Sequence, residues 1–155
     1  MTKISLNVDD DLLKWFDRFS VDGETKFTRT QTIETDAMFY ITLLKTGMSE
    51  VVNILTYEEF VILLGCFNST LYSGRETPGS IAANVQFYMQ YDPEFSRNCE
   101  TVHLDKEPLI KKLENFSEIQ WYGLVEWARR FWNQKDGSFD EAMENAGLKK
   151  EYFAE

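Results

Sequence analysis

Positive charge is scarce in this chain. Sixteen Lys and Arg stand against 26 Asp and Glu, for a net charge of −10. A surface that attracts nucleic acid as a whole is thereby excluded, although a local site is not, because binding depends on the field at the contact face. Histidine occurs once, at His103, so Ser-His or Cys-His catalysis has only that residue to use. The two cysteines, Cys66 and Cys99, lie far apart and read as reduced thiols of a cytoplasmic protein. No Cys-x-x-Cys and no His pair offers zinc spacing. Asp9-Asp10-Asp11 lacks the glycine and distal Glu of a calcium loop. No Gly-Lys-Ser/Thr follows the loop at 73–79, so it is not a phosphate-binding loop. No apolar run approaches the roughly 18 residues of a membrane span, and the N-terminus lacks a signal-peptide apolar region. These absences predict no metal, no cofactor, no membrane partner and no enzymatic activity.

What is present is apolar and aromatic. Hydrophobic residues make up 43% and aromatic residues 15% of the chain, which are globular values and exclude disorder. Residues 3–8 alternate polar and apolar, which predicts a strand with Ile4, Leu6 and Val8 on one face and Lys3, Ser5 and Asn7 on the other. A lone strand leaves its backbone groups unpaired, so it needs a partner, and a second copy of the chain is the natural one. Asp9 or Asp10 suits the N-cap of a short helix carrying Leu12, Phe16 and Phe19. A Gly23-containing turn follows. Thr28 suits the cap of a second helix with Ile33, Ala37, Tyr40, Ile41 and Leu44 along one stripe, ending at Gly47.

Strand, short helix and longer helix in this order, with Phe27-Thr28-Arg29-Thr30-Gln31-Thr32-Ile33 opening the second helix, resembles the ribbon-helix-helix family of DNA-binding proteins, the Arc/MetJ/CopG class. The resemblance covers residues 1–47 only. It implies an intertwined homodimer, or a higher oligomer, whose paired strands enter the major groove of double-stranded DNA. Lys3, Ser5 and Asn7 would then meet base edges. Thr28, Arg29 and Thr30 would meet a phosphate at the helix N-terminus. Ile4, Leu6, Val8, Ile33 and Ala37 would form the dimer core. The implied function is a DNA-binding transcriptional regulator. The charge count allows an alternative. Residues 1–47 hold six basic and eight acidic side chains, and residues 48–155 hold ten and eighteen. The front is therefore less acidic than the rear but not basic. An interaction protein, antitoxin-like or an acidic inhibitor, whose front module only dimerises fits the same residues.

Residues 48–155 predict a helical domain of about four to five helices, holding an effector, a partner protein or an oligomer contact. Thr56-Tyr57-Glu58-Glu59, Ser117-Glu118-Ile119-Gln120 and Ser138-Phe139-Asp140-Glu141 each have capping-box spacing. Ser80 suits a further cap, residues 92–100 read as irregular, and residues 101–104 as a short strand. Asp105 opens another helix, with Pro108 tolerated in its first turn. Trp121, Leu124, Val125, Ala128 and Trp132 trace the buried stripe of the helix after Ser117, with Trp127 and Phe131 beside it. Arg129-Arg130 in that stretch reads as a salt-bridged surface rather than a base-stacking one. The whole is a mainly α chain with a ribbon-helix-helix module in front.

Overall fold

The computed structural model describes residues 10–17, 29–67, 77–134 and 137–155. The chain divides into two compact units, Met1–Thr42 and Leu43–Glu155. The first contains α1 (Asp10–Asp17) and the opening half of α2 (Arg29–Ile54). The second contains the rest of α2, then α3 (Tyr57–Gly65), α4 (Pro78–Tyr91), α5 (Pro93–Thr101), α6 (Lys106–Glu114), α7 (Glu118–Trp132), α8 (Phe139–Ala146) and a closing 3-10 turn (Lys150–Tyr152).

The fold is mainly α, as its periodicities predict, but the ribbon-helix-helix expectation is corrected. Among the described residues there is no β-strand; the one β-type pairing is an isolated parallel bridge between Thr56 and Ala154. The strand predicted at 3–8 lies outside the described residues. The second helix does not stop at Gly47 but runs on to Ile54. Continuing it buries Met48, Val51 and Val52 and carries the chain to the buried Leu55. Burial of that size outweighs the roughly 0.5–1 kcal/mol cost of a helical glycine. Gly47 has a tertiary role instead. A Cβ on Gly123 of α7 would lie 2.5 Å from both Gly47 O and Met48 N. The two glycines let α2 and α7 pack backbone against backbone. Trp127 Nε1 donates to Met48 O (2.9 Å) and Gln120 Nε2 donates to Glu50 Oε2 (2.8 Å) along the same contact.

Among the described residues six helices follow α2 rather than four to five, because Asp92 and Pro93 open a helix where irregular chain is predicted. Asp92 Oδ1 accepts from Glu94 N–H (2.7 Å), and proline is tolerated in the first turn, where its missing N–H is not needed. The short strand predicted at 101–104 is instead the last residue of α5 and the turn that closes it. His103 adopts a left-handed φ of 56°. Its N–H donates to Glu100 O (3.2 Å), and Leu104 N–H donates to Cys99 O (2.9 Å). This is the doubled closure usually given to glycine, and Gly147 makes the glycine version after α8.

All three predicted capping boxes form, at Thr56/Glu59, Ser117/Gln120 and Ser138/Glu141. A fourth pairs Thr77 with Ser80, so Ser80 is the third residue of α4's first turn and Thr77 is the cap. Asp105 caps α6 with Pro108 in its first turn.

Among the described residues the buried core lies in the second unit. Phe60, Leu63 and Leu64 of α3, Ile81, Val85 and Met89 of α4, Phe95 of α5 and Leu109 and Leu113 of α6 surround α7, which supplies Trp121, Leu124, Val125, Ala128 and Phe131. The stripe on α7 is shifted from its predicted course: Phe131 is buried and Trp132 is exposed. Trp132 is still tied down, because its Nε1 donates to Leu64 O (3.1 Å) at the end of α3. The chain end seals the core. Ala154 N–H is shared between Val52 O (3.0 Å) and Leu55 O (3.1 Å), and Phe153 packs on Phe60 with ring centroids 5.0 Å apart.

Candidate functional site

Most residues expected to read DNA or hold a dimer lie outside the described part: Lys3, Ile4, Ser5, Leu6, Asn7, Val8 and Thr28. Arg29 is the first residue of α2, and Thr30 is exposed one position later. Ile33 is half-buried and Ala37 is exposed on the same helix. Within α2 these residues share one helix start and one stripe.

The buried charges of the second unit are structural. Glu59 is buried, accepts from Thr56 N–H (2.8 Å) and pairs with Lys112 Nζ (2.7 Å). Glu126 accepts from Arg129 through both oxygens (2.8 Å each) and from Arg130 Nε (2.9 Å). Burial alone would raise its carboxyl pKa, but the hydrogen bonds from Arg129 and Arg130 outweigh that and hold it below the usual range. The Arg pair is thus salt-bridged within its own helix, as expected. Every described buried side-chain polar atom has a partner, so no orphaned group points to a missing ligand.

Cys66 and Cys99 are both buried and unbridged. Burial pushes the Cys66 thiol up to about 12, and burial raises Cys99 as well. A thiol so placed is protonated near neutral pH and a poor nucleophile. His103 sits in an exposed turn, where it closes α5. Among the described residues no three His, Cys, Asp or Glu side chains converge as metal ligands. No described helix is long and apolar enough to cross a membrane.

Exposed apolar surface is the feature that asks for a function; among the described residues Val102, Trp132, Phe139 and Tyr152 are exposed one by one, and two groups, on α2 and on α4, stand together in sequence or in contact. On α2, Met38, Phe39, Tyr40 and Ile41 are 63, 65, 53 and 42% exposed. They lie within Ala37-Met38-Phe39-Tyr40-Ile41-Thr42-Leu43-Leu44, a run without a charge. On α4, Phe87 and Tyr91 are 60 and 61% exposed and pack ring on ring at 5.0 Å. A half-open depression of about 380 Å³ beside α4 has Met89, Ile110 and Leu113 as its floor and Gln86, Gln90 and Glu114 around it. Sequence reasoning placed Tyr40 and Ile41 on an apolar stripe but missed Met38, Phe39, Phe87 and Tyr91. The signal available was the absence of charge around them, which marks the centre of an interface better than hydrophobicity does.

No family model matches the chain, and no curated protein or solved structure shows significant similarity to it.

Proposed function

We propose that the protein is a self-associating interaction protein, joined through the N-terminal half of α2, with the acidic unit Leu43–Glu155 turned to other partners. The observation that carries this reading is the exposure of Met38, Phe39, Tyr40 and Ile41 together. Four consecutive helical residues span about 300° of the helix surface. One neighbouring helix leaves part of that surface wet, so the run calls for a bundle contact with helices on more than one side. The charge-free run at 37–44 also lets copies of a −10 chain meet without opposing like charges. The unbridged thiols of Cys66 and Cys99 are consistent with a reducing, cytoplasmic setting.

Sedimentation velocity on the full chain tests the reading. The wild type is expected to sediment as a dimer or larger. Phe39→Ser with Ile41→Ser is expected to give a monomer with the same helical circular dichroism. A wild type that stays monomeric at every concentration overturns it. A regulator binding double-stranded DNA is the competing reading, and its support is that α2 begins at Arg29, which puts Arg29 and Thr30 in the first turn, where anions are favoured. Saturable, sequence-dependent anisotropy with duplex DNA, lost in Arg29→Ala, would favour that reading.

A further inference from the structure

Helix α4 is built unlike the other described helices, because its fourteen residues, PGSIAANVQFYMQY, include no acidic or basic side chain. Its inner face is core: Ile81, Val85 and Met89 are buried. Its outer face carries Ser80, Ala83, Asn84, Phe87, Gln90 and Tyr91, all exposed and all uncharged. Small residues occupy the first half and the Phe87–Tyr91 pair, its ring planes tilted by 48°, the second. A solvated helix face in an acidic domain normally carries charge, and an aromatic centre stripped of charge is the composition of an interface core.

The flanks carry the opposite character. On one side of α4 the depression floored by Met89, Ile110 and Leu113 ends at the exposed carboxylate Glu114. On the other side a smaller depression of about 70 Å³ is lined by Tyr88, Phe95, Asp92 and Glu94, among others. No Lys or Arg is among the described residues lining either one.

From this we infer that the outer face of α4 and its α6-side depression form a docking surface for an amphipathic, basic helix of another protein. That helix would set an apolar side chain over Phe87 and Tyr91 and into the depression, with Lys or Arg reaching the flanking carboxylates. Charge selects this occupant over a second copy of the chain. A two-fold contact centred on α4 would bring flanks of like sign together. The inference names the partner chemistry for the unit to which the proposed function assigns other partners, and so rests on that reading.

The test uses the full chain and two amphipathic helical peptides, one of leucine and lysine, the other of leucine and glutamate. Binding is followed by calorimetry at low and at high salt. The leucine–lysine peptide is expected to bind saturably, and to keep measurable affinity in high salt, where purely ionic attraction is screened. Phe87→Ser with Tyr91→Ser should weaken it about tenfold or more. Glu114→Gln with Glu94→Gln should weaken it less, mostly at low salt, and the leucine–glutamate peptide should bind at least about tenfold more weakly than the leucine–lysine one. Circular dichroism melts establish that each variant is folded. Absent binding, binding unchanged by the aromatic double substitution, or equal binding of the two peptides overturns the inference. A fall in sedimenting mass on Phe87→Ser with Tyr91→Ser also overturns it, by assigning the face to a second copy. The α2 variant Phe39→Ser with Ile41→Ser separates the two readings: it should change the mass and leave peptide binding intact.

Discussion

Both halves of α2 carry large apolar side chains, and the helix buries them at one end only. From Met48 onward Val51 and Val52 are shut into the core, while Met38, Phe39, Tyr40 and Ile41 face solvent. The difference lies in what surrounds each half rather than in the helix itself. Past Gly47 the helix has α7 against its backbone and the C-terminal Ala154 capping its last carbonyls. In the first unit residues 37–42 are all exposed. Identical side-chain chemistry therefore stabilises the fold in one unit and stays in contact with water in the other.

The sharpest way to break this contrast is to truncate one aromatic from each side. Phe60→Ala empties a fully buried site and should cost about 3–5 kcal/mol in urea unfolding. Phe39→Ala should change the unfolding free energy of the isolated chain by less than about 0.5 kcal/mol. If the two costs were equal, Phe39 would be a core residue and the contrast would fail. Next in size is the α2–α7 contact. Gly123→Ala places a methyl against the Gly47 and Met48 backbone, which cannot retract as a flexible side chain can. A loss of about 2–3 kcal/mol is expected by the same measurement.

The smallest loss of stability expected within the second unit concerns charge. Because Glu126 titrates below its ordinary value in the folded chain, the unfolded chain takes up its proton first as pH falls. Its ion pairs therefore add stability above the ordinary glutamate range, and that stability is lost as pH drops through the ordinary value toward the depressed one. Glu126→Gln should lower stability at neutral pH by about 1 kcal/mol, discounted because both arginines are half exposed. It should also flatten the acid limb of a melting-temperature profile. An unchanged acid limb would show that the pair contributes nothing measurable.

Local signals were read well from the sequence. The boxes at Thr56, Ser117 and Ser138 need only a hydroxyl and a Glu or Gln three residues on, so no other part of the chain intervenes. The pairing of Arg129 and Arg130 was equally local, since Glu126 lies three and four residues before them. Signals with a distant partner were misread. Gly47 looks like a helix stop until Gly123 is brought against it. Trp132 and Phe131 are about 100° apart on α7, and only the position of α8 and its neighbour Phe139 decides that Phe131 goes inside. His103 shows no sequence sign of a left-handed turn, because glycine is the usual residue there. For the candidate site, the charge-free stretches at 37–44 and 78–91 are legible in the sequence, whereas their exposure depends on which helices face them.

By itself the sequence determined that the chain is mainly helical, where most helices begin, and that it is acidic. Those properties rest on residue type and on spacings of three or four. Only the tertiary structure decided that α2 runs through Gly47, that the thiols are sealed in, and that Phe87 and Tyr91 stay out while Phe60 and Phe131 go in. An aromatic side chain has the same drive to leave water wherever it stands. Whether it can do so depends on which helix faces it, and that is set by contacts dozens of residues away.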